Sequence, residues 1–324
     1  MTGATLPSIP RRSRSGGAYA ISEITVAVPG ASAGAPVSAR SLVPSIRRAS
    51  ALGITGFDLS GVASVEWGVE LLRAGVPAAG RDLVVILGPP RGSAIGAIGE
   101  RDPSASCVAL AETMDRLREQ LGPGIRGIVD WGASGGNRSP PVEELSSLRA
   151  AGTIADFAVP FTFGDAPGTD TTTEPPLLRS GPLSLLDVRV VNSVLRARSS
   201  EAPSLIARDV YAGGALDGQL LQRSPLERGP TVHPESMAEL HSRLDPVLQL
   251  AFLTKGHRRT LPRAALTFAL QWPWVLTAVI PLPTADRWER LLGPTSDTPL
   301  EASELRRLGV AIPSDVGDRP TAAP

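Results

Sequence analysis

The stretch Gly53-Ile54-Thr55-Gly56-Phe57-Asp58-Leu59-Ser60 limits what this chain can fold into more than any other. A short apolar run that ends in one carboxylate, followed by Gly61, is the pattern of a buried parallel strand carrying a single polar group out at its C-terminal end. Helical patterns stand on both sides. Over residues 41–50, Leu42, Ile46 and Ala49 share a face with Arg47 and Arg48 outside, and residues 65–72 repeat the arrangement until Gly75 stops it. Helix, strand and helix in about forty residues form a piece of an α/β fold.

The alternation continues. Runs at 21–28, 83–87, 127–131, 154–161, 185–191, 204–212 and 275–281 read as further strands, and helical patterns cover 104–121, 141–151, 235–254, 262–271, 286–292 and 301–308. Pro141 near a first helical position and Gly152 past a last turn bracket one of these helices. Residues 168–174, rich in Thr, read as an irregular loop, and residues 224–234, with three prolines, as a long excursion suited to a lid or an interface. With the run at 53–60 there are eight strands, and a chain of 324 residues accommodates one (β/α)8 barrel of about 250 residues with tails. The expected organisation is a disordered polar tail over 1–18, one barrel domain over 19–312, and a second disordered tail over 313–324.

Composition removes several function classes. An apolar fraction of 42% supports a core without metal or disulfide, and Cys107, the single cysteine, lies in a helical pattern as a small buried hydrophobe. One cysteine in so long a chain reads as cytoplasmic. The 32 basic residues balance the 32 acidic ones, so neither nucleic acid nor an anionic membrane is an expected partner. No apolar run reaches the roughly eighteen residues that a membrane span needs. The loop at 30–36 is Gly-rich but lacks phosphate-binding spacing. His233 and His241 are spaced wrongly for one helix face and no His-Glu-x-x-His occurs, so no metal site is expected. His257, with Arg258 and Arg259 after Lys255, marks a basic helix end.

The run Gly53 to Asp58, after an Ala-Leu helix end, resembles the second-strand signature of the aldo-keto reductases. Arg81-Asp82-Leu83-Val84-Val85-Ile86 resembles their third strand, and the run from Ala207 to Gly218 their seventh strand and its loop. The run from Ala265 to Pro281 is similar to their last helix-strand pair. These matches keep the family's order over roughly residues 20–294. The resemblance implies an aldo-keto reductase-like TIM barrel.

It also implies a site that departs from the family's. Aldo-keto reductases place an Asp, a Tyr, a Lys and a His at their strand ends, the Tyr giving a proton to the carbonyl as hydride arrives. Asp58 matches the aspartate, whereas the tyrosine falls at Ala63, the lysine at Gly88 or Pro89, and the histidine near Asp130 or Trp131. The chain's one lysine, Lys255, lies far downstream, and arginine does not replace lysine as a proton donor. The aromatic residue that stacks on the nicotinamide corresponds to Arg208, and the Lys-Ser pair for the 2′-phosphate to Leu282-Pro283. Arg287 matches the family's downstream arginine, and Asn192 the polar end of its sixth strand that holds a carboxamide. A cation where the nicotinamide lies flat disfavours the usual pose. The cofactor expectation is therefore none, or NADPH held differently through Asn192 and Arg287.

Polar groups remain at the strand ends: Asp58, Glu66, Asp130, Trp131, Asp156, Asn192, Arg208, Asp209 and Tyr211. They suggest a pocket in which Asp58, Asp130 or Asp209 acts as general acid or base beside Arg208, which binds a carboxylate or stabilises an enolate. Trp131 would floor the pocket, with Asp156 and Asn192 lining it. The plainer alternatives are a structural Asp58 and an Arg208–Asp209 ion pair at the rim. The function this favours is small-molecule acid-base chemistry, such as cyclisation, dehydration or isomerisation in a specialised biosynthesis. Its rivals are an NADPH-dependent oxidoreductase with Tyr211 as a relocated proton donor, and a catalytically inactive barrel serving as partner or regulatory subunit. Oligomeric state is left open.

Overall fold

The computed structural model describes residues 8–13, 19–29, 39–62, 64–77, 82–89, 103–134, 140–161, 178–197, 204–218, 244–255, 259–292 and 298–312. A hairpin of β1 (Arg11–Ser13) and β2 (Ala20–Ser22) precedes eight parallel strands. These are β3 (Ile24–Ala27), β4 (Gly56–Asp58), β5 (Val84–Leu87), β6 (Arg126–Asp130), β7 (Asp156–Pro160), β8 (Leu178–Pro182), β9 (Leu205–Arg208) and β10 (Val275–Pro281). Pairing runs in chain order and closes between β10 and β3, making a (β/α)8 barrel. Around it lie α1 (Ala39–Ala51), α2 (Val65–Gly75), α3 (Pro103–Leu121), α4 (Val142–Ala150), α5 (Arg189–Ala197), α6 (Ala251–Thr254), α7 (Leu261–Leu270), α8 (Arg287–Leu292) and α9 (Ala302–Arg307).

Side chains alternate across each strand, so a barrel has an inner and an outer apolar set. Val84, Ile86, Ile128, Ala158, Leu178, Ile206, Leu276 and Val279 form the inner one, with Tyr19 and Ile21 from the N-terminal segment. Val85, Leu87, Val129, Phe157, Val159, Leu205 and Ala207 belong to the outer one, which packs against the helices. Gly56 is required by the inner packing, because a Cβ there would strike Thr25 Oγ1 and Ile21. Helix starts follow their capping chemistry. Ser64 Oγ accepts from the Trp67 N–H ahead of α2, and Thr260 Oγ1 from the Arg263 N–H ahead of α7.

The N-terminal hairpin closes one end of the barrel. Arg12 donates through Nη1 to the Trp272 and Val275 carbonyls and through Nη2 to the Leu270 carbonyl, while its Nε pairs with Glu23 at 2.6 Å. Residues 11–13 therefore form a strand inside the stretch expected to be a disordered tail. A run of three residues carries too little periodicity to reveal a strand whose partner is supplied by the hairpin.

One strand lies elsewhere than expected. The run 185–191 does not form the sixth barrel strand; Leu178–Pro182 does, and Arg189–Ala197 is helical. Leu178-Arg179-Ser180-Gly181-Pro182 has one large apolar residue, so its pattern is weak, whereas Leu185, Val188, Val190 and Val191 imitate a strand while covering α5 and the turn before it. The loops at 30–36, 168–174 and 224–234, the tail at 313–324, Ala63, all three histidines and the first half of the helix expected at 235–254 lie outside the described residues. No helix among the described residues is long and apolar enough to cross a membrane.

Candidate active site

Barrel chemistry belongs to the C-terminal ends of the strands, where inward-pointing residues meet the connecting loops. Here the last inward positions of β4, β6 and β9 hold Asp58, Asp130 and Arg208, and the one before Pro182 on β8 holds Ser180. Each follows an inward residue two places earlier: Gly56, Ile128, Leu178 and Ile206. The alternation that builds the apolar interior thus also aims these four polar side chains into it.

They form one network. Arg208 Nη1 donates to Asp58 Oδ2 at 2.8 Å, and Arg208 Nε donates to Asp130 Oδ2 at 2.6 Å and to Ser180 Oγ at 3.2 Å. The Ser180 hydroxyl donates to Asp130 Oδ2 at 2.7 Å. Asp130 Oδ1 accepts from the backbone N–H groups of Gly132 and Ala133, at 2.9 and 3.2 Å, in the 3₁₀ turn Trp131–Ser134. Two donors on each oxygen fill the acceptor sites of Asp130, which has no solvent exposure. Asp58, also buried, accepts from the Ser60 N–H at 2.8 Å and from Arg208, so half its acceptor capacity is unused among the described residues. Arg208 Nη2 is buried and has no hydrogen-bond partner among the described residues.

Burial pushes the Asp130 carboxyl above the ordinary aspartate value. The Arg208 and Ser180 contacts pull it back, and Asp58 adds to the rise. Burial also opposes the charged form of Arg208, but Asp58 and Asp130 outweigh it, and the guanidinium is held still more firmly protonated than usual. Arg208 is therefore a permanent cation clamped between two carboxylates.

The other predicted residues lie outside this network. Asp156 stands at the opposite end of the barrel, where Tyr19 Oη donates to it at 3.2 Å and Arg149 approaches at 3.6 Å. Being first in β7 instead of last, it lines no pocket at the mouth. Asn192 sits on α5 and is engaged with the C-terminal segment, its amide donating to the Gly309 carbonyl and accepting from the Ala311 N–H. Its expected place rested on the misplaced sixth strand. Asp209 makes no ion pair with Arg208. It has a left-handed φ of 51° and closes a turn by accepting from the Gly213 N–H.

Tyr211 belongs to the apolar layer outside the barrel, its hydroxyl buried without a partner. Burial, with Asp217 adding and Arg263 opposing, raises its ionisation above the ordinary phenol value. Both placements are set by the sharp turn after β9, whose Asp209 and Ala212 both have positive φ. Trp131 is buried in the same outer layer and does not floor the mouth. Glu66 is exposed at the start of α2 and pairs with Arg116 on α3. Arg287 opens α8 just beyond Leu282 and Pro283. Ser180 was missed in the sequence because its strand was misplaced; counting in steps of two back from Pro182 reaches it.

No protein-family model and no curated protein matches the chain in sequence. Its shape does match solved structures. It is similar to the aldo-keto reductase AKR11C1 from Bacillus halodurans in the apo form, with a TM-score of 0.58 and 16% identity over 93% of this chain and 95% of that one. The holo form of that protein gives a TM-score of 0.59 and 17% identity over the same shares. Gox0644 in its apo form gives 0.58 and 13% identity over 93% of each chain. The chain has the aldo-keto reductase fold.

Proposed function

We propose that this barrel is an enzyme that moves protons, and not hydride, on a small molecule held at the mouth formed by Asp58, Asp130, Ser180 and Arg208. Arg208 carries the reading. By the sequence resemblance it corresponds to the ring that aldo-keto reductases stack on nicotinamide, and it is bound by both carboxylates. A guanidinium so engaged disfavours a flat nicotinamide in the usual pose, and of the positions matched to the 2′-phosphate site Leu282 and Pro283 bring no charge while Arg287 keeps one. NADPH in that pose is disfavoured.

The same geometry supports acid-base work. Asp130, saturated by four donors, holds Arg208 through Nε, and Ser180 braces both; these two are positioning residues. Asp58 has acceptor capacity left and is the base. Arg208 Nη2, without a partner, is the donor for a substrate oxygen. When Asp58 takes a proton from the carbon beside a carbonyl, the negative charge passes from the carboxylate to the enolate oxygen against Nη2, so no charge is created in the buried site. Return of the proton at a second position gives isomerisation; loss of a β-hydroxyl group as water gives dehydration.

A panel of enolisable carbonyl compounds in D2O, followed by proton NMR for exchange at the α-carbon, tests this. Exchange should appear and fall by about a hundredfold or more in Asp58→Asn, with no oxidation of added NADPH. Reduction of a carbonyl compound by NADPH at a rate that Asp58→Asn leaves unchanged would overturn the reading.

A further inference from the structure

The charges at the mouth do not balance. Asp58 and Asp130 are both buried, and among the described residues Arg208 is the one cation paired with either. Asp130, with its oxygens filled, matches the guanidinium on its own. Asp58 is left as a surplus carboxylate with room for further donors. Its neighbours in register are Ala27 on β3 and Ile86 on β5, both apolar, so neither supplies the missing positive charge. Beside it, Arg208 Nη2 is a buried donor without an acceptor. A carboxylate lacking donors next to a donor lacking an acceptor describes the complement of a ligand.

We propose that the mouth takes an organic cation: an amine, protonated at neutral pH, that carries a hydroxyl or carbonyl oxygen on a neighbouring carbon. The ammonium group meets Asp58 and the oxygen meets Arg208 Nη2. This rests on the reading that the network is the ligand site, and adds the charge of the ligand. The chain as a whole is formally neutral, so no general field attracts cations and the preference is local. A metal ion is a poorer occupant, because no group of three metal-ligating side chains exists among the described residues. A carboxylate ligand is disfavoured. One uncompensated charge at about 5 Å and an effective dielectric near 20 changes binding by roughly a hundredfold.

Three probes on one carbon frame test the proposal: cyclohexylmethylammonium, cyclohexylmethanol and cyclohexanecarboxylate, titrated into the full chain by calorimetry. The ammonium should bind about tenfold or more tighter than the alcohol, and the carboxylate weakest. In Asp58→Asn the ammonium and alcohol should become equal. If that variant fails to fold, Asp58→Glu moves the charge without removing it, and should change the ammonium affinity while leaving the alcohol's alone. Equal binding of all three probes, tighter binding of the carboxylate, no binding of any, or an ammonium preference that survives Asp58→Asn each overturns the proposal. Proton exchange on carbonyl compounds that persists alongside such a result would leave the acid-base reading standing, and its absence alongside a clear ammonium preference would remove that reading alone.

Discussion

The two ends of the barrel both bury carboxylates, yet they treat them differently. At the end closed by the N-terminal hairpin, Asp156 accepts from Tyr19 and from the Phe157 N–H, with Arg149 nearby. Thr25 and Thr277 join through their hydroxyls at 2.8 Å, and Thr277 also donates to the Ser22 carbonyl. At the other end, among the described residues, Asp58 keeps unused acceptor capacity and Arg208 keeps a buried donor without a partner. Gln271 Nε2 and Trp272 Nε1, beside the hairpin, are also buried without a hydrogen-bond partner among the described residues, so what sets the mouth apart is that its unpaired donor stands next to a carboxylate with spare acceptor sites, an arrangement a ligand can complete.

Removing the central cation should break this contrast most severely. Arg208→Met leaves Asp58 and Asp130 facing one another in a buried site, and should cost on the order of 3–5 kcal/mol in urea unfolding. Adding Asp130→Leu, which removes the second carboxylate as well, should recover part of that loss. A cost near zero for the single variant would mean that the network is open to water. Asp130→Asn comes next. An amide cannot accept from Gly132, Ala133, Ser180 and Arg208 at once, so at least one buried donor goes unpaired, at about 2 kcal/mol. Its α-proton exchange should fall through loss of the Arg208 position, seen as weaker substrate binding with the pH profile retained.

At the closed end, Tyr19→Phe removes one neutral donor from Asp156. About 1 kcal/mol of stability should go, measured by the same unfolding curves, with α-proton exchange untouched. Loss of exchange in this variant would mean that the two ends are coupled and the division drawn between them is false.

The framework was far more legible in the sequence than the mouth. A strand such as Val84–Leu87 announces itself because both faces are buried and the run is continuously apolar. Asp58, Asp130 and Arg208 were legible as strand-end residues of one pocket, but that Arg208 joins Asp58 and Asp130 together and leaves Asp209 aside was not, since residues 58, 130 and 208 meet only through barrel closure. Arg208 was paired with its neighbour Asp209 in expectation, where the turn's positive φ in fact turns Asp209 away. Strand β8 was unreadable for a physical reason: a strand that must carry Ser180 into the mouth and end at Pro182 gives up the apolar pattern that would reveal it.

Tyr211→Phe should have the smallest effect and separates the acid-base reading from relocated proton donation. The hydroxyl is buried with no partner, so its loss should be neutral or stabilise by up to about 1 kcal/mol at neutral pH. α-Proton exchange should not change. The pH dependence has a definite sign. Burial raises the folded-state value above the ordinary 10, so above pH 10 the unfolded chain loses a proton that the folded chain keeps. The folded state then binds more protons, and stability falls as pH rises, by about 1.4 kcal/mol per pH unit until the folded value is reached. The phenylalanine variant lacks that slope, so the two proteins should diverge in unfolding free energy only above pH 10. Divergence near neutrality, or loss of exchange, would place a working phenol at the mouth and return Tyr211 to the chemistry.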